Sequence, residues 1–135
     1  VKLCHRHNIE VVPCSGPSSL MLALMGSGLN GQSFAFLGYI PAKTDERRQA
    51  LKSIEKHSAS AHQTKIMIET PYRNDSLFAD ILNVCQGSTE LCVAADITMP
   101  DAYIMTKTIS EWKRYVAGKE SIIGKRPCVF LILAH

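Results

Sequence analysis

Short apolar runs of strand length alternate with helical patterns along this 135-residue chain. Five runs of five or six residues are rich in apolar side chains and bounded by turn residues, as is typical of strands in a covered sheet. These runs are Phe34–Tyr39, Lys65–Glu69, Leu91–Ala95, Tyr103–Thr108 and Cys128–Leu133. Strands and helices alternate early, and strands cluster late. The pattern therefore predicts an α/β fold, with a mixed sheet of about five strands flanked by helices.

Four helical segments accompany these strands. The first, about Ser18–Met25, carries apolar residues on all sides, so we expect it to be buried on every side. Thr44 begins a second helix, whose first turn is acidic and therefore suits the positive end of the helix dipole. Asn74 or Asp75 caps a third helix, and Ser110 caps a short fourth one.

The segment Val1–Pro13 differs from the remainder of the chain. It begins with Val instead of Met, and its pattern predicts the end of a helix followed by a short strand at Ile9–Val12. Such a segment is typical of the end of a preceding unit. We therefore expect the chain to be a fragment of a longer protein.

Composition and charge restrict the function only weakly. Hydrophobic residues make up 46% of the chain, which is enough for one core at this length. The formal net charge is +3, a mild excess that is compatible with a polyanionic partner. Because the Lys and Arg residues are scattered along the sequence, the charge does not require such a partner.

Cysteine and histidine usage predicts neither disulfides nor a metal site. The five cysteines form an odd set without a CxxC pair, which favours reduced thiols in the cytoplasm. His5 and His7 are two positions apart and so point to different faces of a helix, and no second ligand pair follows. No run approaches the roughly 18 apolar residues of a membrane span. We expect a cytoplasmic protein without a metal or a membrane span.

Several strand ends carry small or polar residues, which is where open α/β sheets bind ligands. Small residues at Ser15–Ser19 allow backbone amides to approach a ligand, although an ordinary capped turn explains them equally well. Glu69 and Arg73 follow the second strand, as candidate catalytic groups or as an ion pair that holds the turn. Asp96 follows the third strand, as a base, a substrate anchor or a cap.

Three cations lie close together in sequence, at Lys43, Arg47 and Arg48. They are candidates for phosphate contacts, and a plain solvated face is the alternative. The sequence contains no self-sufficient catalytic motif such as GxSxG, HExxH or a Walker loop. The residues alone predict an α/β domain and leave the presence of a binding cleft as a hypothesis.

Taken in order, five segments resemble the characteristic sequence elements of the tetrapyrrole methylases. They are Val11–Ser19, Phe34–Leu51, Ile68–Arg73, Ala94–Thr98 and Lys125–Ile132. The second, third and fourth are most like the branch of that family that methylates a ribose hydroxyl of small-subunit ribosomal RNA. The chain departs from that branch at Pro71-Tyr72 and at Ala95, where a substrate would bind. Its substrate could therefore differ from that of the best-known members of the branch.

The resemblance implies an S-adenosylmethionine-dependent methyltransferase, whose cofactor lies in a cleft between two α/β domains. Residues 1–13 would be the tail of an absent N-terminal domain and residues 14–135 the C-terminal methyltransferase domain. That N-terminal domain would supply the glycine-rich loop. Carried over position by position, the family's backbone contacts to the cofactor fall at Ser19, Leu20, Met67 or Ile68, Ala94, and Cys128 or Val129.

The resemblance also implies partners. The substrate is ribosomal RNA or, in the rival branch, a corrin or porphyrin tetrapyrrole, and the enzyme is expected to be a homodimer. No catalytic base is identified; Glu69, Arg73 and Lys43 are the candidates that could lie near a ribose hydroxyl. Without the N-terminal domain, we expect the isolated chain to be inactive and to serve only as a binding or dimerisation domain.

Overall fold

The computed structural model describes residues 1–135, and it contains the five strands and four helices predicted between residues 18 and 133. The helices are α1 Lys2–Arg6, α2 Ser19–Ser27, α3 Thr44–Ala61, α4 Asn74–Val84 and α5 Ile109–Val116, with a 3-10 turn at Pro71–Arg73. The strands are β1 Phe34–Tyr39, β2 Thr64–Ile68, β3 Glu90–Ala95, β4 Tyr103–Thr108 and β5 Cys128–Leu133. None of the helices combines the length and the apolarity that a membrane span needs.

The five strands form one mixed sheet in the order β1-β2-β5-β3-β4, which confirms the predicted fold class. β1 and β2 are parallel, whereas β5 is antiparallel to both of its neighbours, and β4 is antiparallel to β3. The most apolar strand, β5, lies in the centre because a central strand has both of its faces covered. The last strand of the chain thus separates β2 from β3.

One face of the sheet is covered by α3, α4 and α5, and we call it the closed face. Its core cluster contains 17 buried residues, including Leu51 of α3 and Leu77 of α4. The Trp112 ring of α5 is fully buried and packs edge-to-face on Phe78, with ring centroids 5.4 Å apart. Its indole N–H donates to the carbonyl of Leu91 in β3 at 2.8 Å, so this large polar ring is buried without an unpaired donor.

The opposite face, which we call the open face, is covered by α2 alone. Its cluster contains 7 buried residues contributed by α2 and by the central strands β2, β3 and β5. Leu24 points into this cluster and is 5% exposed, whereas Met25 on the outer side of α2 is 75% exposed. The prediction that α2 is buried on every side is therefore wrong. The sheet contacts one side of this helix, and nothing in the chain packs on the other.

The N-terminal segment agrees with the predictions only in part. The short helix is present as α1, but Ile9–Val12 is not a strand. The Ile9 amide bonds to the Cys4 carbonyl at 2.8 Å and closes the end of α1. The edges of the sheet are β1 and β4, and neither pairs with this segment, so the apolar run has no strand partner. The division of the chain after residue 13 stays a prediction.

Candidate functional site

The carboxyl ends of β2 and β3 meet the beginning of β5 at one edge of the sheet, because β5 runs antiparallel to both. A cavity of about 430 Å³ lies there, which is within the range of small-molecule sites. Its wall combines the end of β2, the end of β3, the start of β5 and the first residue of α2. The lining residues are Ser19, Ile68, Glu69, Pro71, Ala94, Asp96, Ile97, Met99, Pro127, Cys128 and Val129.

This cavity gathers most of the residues that the resemblance assigned to the cofactor. Five of the seven line it, namely Ser19, Ile68, Ala94, Cys128 and Val129. Leu20 lies beside the open-face cluster instead, and Met67 is fully buried in the core of the closed face. Between the alternatives Met67 and Ile68, the strand's alternation therefore places Ile68 at the cavity. Their role in binding stays a prediction.

The start of α2 offers unpaired backbone donors to this cavity. The first hydrogen bond of the helix runs from the Leu22 amide to the Ser18 carbonyl at 2.9 Å, and Ser18 forms no side-chain cap. The amides of Ser19, Leu20 and Met21 precede that bond and have no intrahelical partner. They lie at the positive end of the helix dipole, so this edge of the cavity suits an oxygen-rich or anionic group.

Glu69, a catalytic candidate, is buried and held by Arg47. The Arg47 Nη2 donates to Glu69 Oε2 at 2.7 Å, and the backbone amide of Thr70 donates to Glu69 Oε1 at 2.8 Å. Arg47 also pairs with Asp80 at 3.3 Å and donates to the Pro41 carbonyl at 3.1 Å. Both carboxylate oxygens are thus engaged in fixing the turn after β2. Glu69 forms part of the cavity wall without presenting a free oxygen as a base.

Two sequence-based interpretations of these charges are wrong. Arg47 is only 2% exposed, so it is not available for phosphate contacts. The ion-pair partner of Glu69 is Arg47 and not Arg73, whose guanidinium lies over the Tyr72 ring at 5.1 Å from its centroid. The spacing of four residues between Arg47 and Leu51 places both on the buried side of α3, and this signal was present in the sequence.

The other predicted charges remain on the surface. Lys43 is exposed immediately before α3, and Arg73 is partly buried at the end of the 3-10 turn. Neither lines the cavity. Of the three catalytic candidates, only Glu69 lies in its wall.

Asp96 lies at the rim of the cavity in a strained loop. Its φ is +50° and that of Thr98 is +72°, a region that non-glycine residues seldom adopt. Partial desolvation, together with the neighbouring Asp101, raises the pKa of the Asp96 carboxyl, and Arg126 offsets part of this effect. Arg126 Nη1 lies 3.7 Å from Asp96 Oδ2. A carboxylate with an elevated pKa at a cavity rim is a candidate for substrate contact.

Three lining residues, Ile97, Met99 and Pro127, are not among those that the sequence assigned to the site. Pro127 ends the loop that leads into β5, and its carbonyl accepts from the Asp96 amide at 2.9 Å. Met99 belongs to the turn after β3. Only the position of β5 between β2 and β3 brings both residues to the cavity, and no local pattern in the sequence indicates it.

Comparison with known proteins identifies relatives of the chain. No family model matches the chain. It is 33% identical over 121 residues to "Ribosomal RNA small subunit methyltransferase I" of Vibrio cholerae, covering 90% of this chain and 41% of that protein. The relative of the same name in Escherichia coli O157:H7 is 35% identical over 121 residues, with the same coverage. The chain thus spans less than half the length of these relatives.

Solved structures share the architecture at lower identity. The methyltransferase CobJ superposes with a TM-score of 0.57 at 14% identity, covering 98% of this chain and 56% of that one. The cobalt precorrin-4 methyltransferase CbiF gives a TM-score of 0.57 at 14% identity, covering 98% and 55%. The fold is therefore that of the tetrapyrrole methylases, and the resemblance indicated by the motifs is confirmed. In sequence, the chain is similar to ribosomal RNA small subunit methyltransferase I.

Proposed function

We propose that this chain is part of an S-adenosylmethionine-dependent methyltransferase and forms one wall of the cofactor site. We further propose that the substrate is a ribose hydroxyl of small-subunit ribosomal RNA. The observation that carries the proposal is the cavity at the ends of β2 and β3, which brings together five residues expected to contact the cofactor. The identity to relatives named as ribosomal RNA methyltransferases supports the RNA substrate.

The residues of the cavity fit this cofactor. The amides at the start of α2 can hold its polar groups, and Ile68, Ala94 and Val129 provide an apolar wall that excludes water. When bound, the cofactor supplies an electrophilic methyl group on a sulfonium. The protein's share of such a transfer is mainly alignment and exclusion of water, so no strong acid or base is needed in this wall.

The charged residues around the cavity then have different roles. Arg47 and Glu69 are positioning residues, because they fix the turn after β2 without exposing a free functional group. Asp96 is the carboxylate at the rim and is the residue best placed to meet a substrate or cofactor group. Arg73 and Lys43 lie outside the cavity. They can contact the substrate only if the substrate extends beyond the cavity.

Two alternatives differ in substrate and in activity. A corrin or porphyrin methyltransferase shares the fold, but the structural likeness to CobJ and CbiF is at 14% identity, against 33–35% for the ribosomal RNA relatives. A domain that only binds or dimerises is the proposal for the isolated chain. We also propose three features that the family implies, namely a homodimer, an N-terminal domain as a partner and a cytoplasmic location.

Nuclear magnetic resonance titration of the chain with S-adenosylhomocysteine tests the cofactor site. We expect weak binding that shifts the amide resonances of Ser19, Leu20, Ala94 and Val129. A second cavity of about 470 Å³, on the far side of the molecule beside Lys52 and Ala134, is a built-in control and should not respond. Shifts at the control cavity alone would refute the assignment, and sub-micromolar affinity would contradict a cleft shared by two domains.

A further inference from the structure

The positive charge of the chain is concentrated in one segment. Residues 107–126 contain six Lys and Arg against two Asp and Glu, whereas residues 1–106 contain nine against ten. The formal net charge of +3 therefore comes from this segment, and the rest of the chain has a slight negative excess. Such an uneven distribution attracts polyanions to one part of a surface.

The fold displays these cations on the outside of α5. Ile109 and Trp112 of α5 are buried against the sheet, which leaves Lys113 and Arg114 exposed in the last turn. Lys107 precedes the helix at the end of β4, and Lys119 follows it in the loop to β5. None of these four cations forms an ion pair with a carboxylate in this chain, so their charges remain available.

Two of these cations lie over an exposed aromatic ring. Tyr115 is 38% exposed, and its ring centroid lies 3.5 Å from Lys119 Nζ and 4.8 Å from Lys107 Nζ. The nearby Lys119 also lowers the pKa of the Tyr115 hydroxyl. Aromatic faces accompanied by cations are the usual means by which proteins hold unpaired nucleotides, because bases stack while phosphates pair with the cations.

The basic segment also extends to the candidate site. Arg126 lies in the loop after α5, with its guanidinium 5.9 Å from the Tyr103 ring centroid and 3.7 Å from Asp96. Asp96 lines the rim of the cavity. Arg126, which belongs to the same basic segment, thus connects the loop after α5 with the rim of the cavity.

The α3 cations are a weaker alternative. Lys43, Arg48, Lys52 and Lys56 are interspersed with acids, and Arg48 lies 3.7 Å from Asp80. The neighbouring Arg47 is buried in its ion pairs. The α3 side therefore has less free positive charge than its sequence suggests.

We propose that Lys107, Lys113, Arg114, Tyr115 and Lys119, together the α5 surface, bind the backbone and an unpaired base of the RNA substrate. The inference rests on the proposed function and names the surface by which that site holds its substrate. An acidic protein is the competing ligand. The exposed Tyr115 ring favours RNA, because a peptide carboxylate gains nothing from a stacking surface.

Fluorescence anisotropy with a single-stranded fragment of small-subunit ribosomal RNA, measured between about 50 and 200 mM salt, tests this proposal. The variant K107Q/K113Q/R114Q/K119Q should bind more weakly, with its log–log salt slope reduced by about 3, since each lost phosphate contact removes roughly 0.7 from the slope for single strands. The variant K43Q/R48Q/K52Q/K56Q removes the same number of charges and should retain most of the slope. Tyr115→Ala should weaken binding by roughly tenfold, and Tyr115→Phe should restore it.

Each contrary result has a distinct meaning. Equal loss of slope in both quadruple variants would overturn the α5 surface while keeping RNA as the substrate. Binding of polyglutamate with the affinity of RNA would overturn it in favour of an acidic protein. A parent chain without salt-dependent RNA binding would overturn both the surface and the RNA substrate, and the S-adenosylhomocysteine titration would still report on the cofactor site. Thermal unfolding of every variant separates these results from loss of fold.

Discussion

The two faces of the sheet differ in how completely they are covered. Three helices pack on the closed face over a cluster of 17 buried residues, whereas α2 alone packs on the open face over 7. Two large apolar side chains on this side of the molecule remain exposed, Phe36 on the open face of β1 and Met25 on the outer side of α2.

The closed face supplies most of the stability, whereas the candidate binding site lies beside the open face. The closed face holds the large side chains, including Trp112 and the buried Arg47, and so supplies most of the packing energy. The candidate cavity instead opens between α2 and the strand ends, next to the face that is only partly covered. A binding site needs uncovered surface, so the sparse packing there is consistent with the proposed role. Three predictions test this contrast.

The largest effect is expected for Arg47→Met on the closed face. The substitution leaves the Glu69 carboxylate buried without its partner, which should lower the free energy of unfolding by about 3–5 kcal/mol. Urea denaturation measures the loss. Arg48→Met is the matched control, because Arg48 is half-exposed and its contact with Asp80 is long, at 3.7 Å; it should cost less than about 1 kcal/mol. Similar costs for the two variants would show that the Arg47 network does not stabilise the closed face.

An intermediate effect is expected in α2. Leu24→Ala removes a side chain packed on the sheet and should cost about 2–4 kcal/mol, whereas Met25→Ala should change stability by less than about 0.5 kcal/mol. Leu22 is partly buried, so Leu22→Ala should fall between them. Chemical denaturation at two protein concentrations provides the measurement. A large cost for Met25→Ala that grows with concentration would mean that a second copy covers the outer side of α2.

The smallest effect is expected at the rim of the cavity. Because the pKa of Asp96 is raised in the folded chain, the folded state holds this proton more tightly than the unfolded state does. The stabilisation that comes from the protonated carboxyl is therefore lost as the pH rises from the usual pKa of an aspartate through the raised pKa of Asp96. Asp96→Asn should flatten the dependence of Tm on pH over that interval and leave the variant slightly more stable above it. An Asp96→Asn profile that matches the parent would contradict the raised pKa.

Local patterns in the sequence predicted the elements well. The five strands follow from apolar runs with turn residues at their ends, and α3 and α4 follow from the spacing of their apolar residues. These features depend on neighbours within a few positions, so a single sequence contains them. One exception was Ile9–Val12, whose strand-like composition had no partner strand in the fold. Another was the cap of α5, which is Thr108 and not the predicted Ser110. Composition alone does not provide a hydrogen-bonding partner.

The sequence by itself determined the elements and, through its motifs, the family that the chain resembles. The tertiary structure decided which residues share a site. β5 is distant in sequence from β2 yet lies beside it, with Val129 opposite Ile68. The same arrangement places Ile68 at the cavity and Met67 in the opposite core. Strand order and helix burial depend on contacts between distant parts of the chain, and no local pattern specifies those contacts.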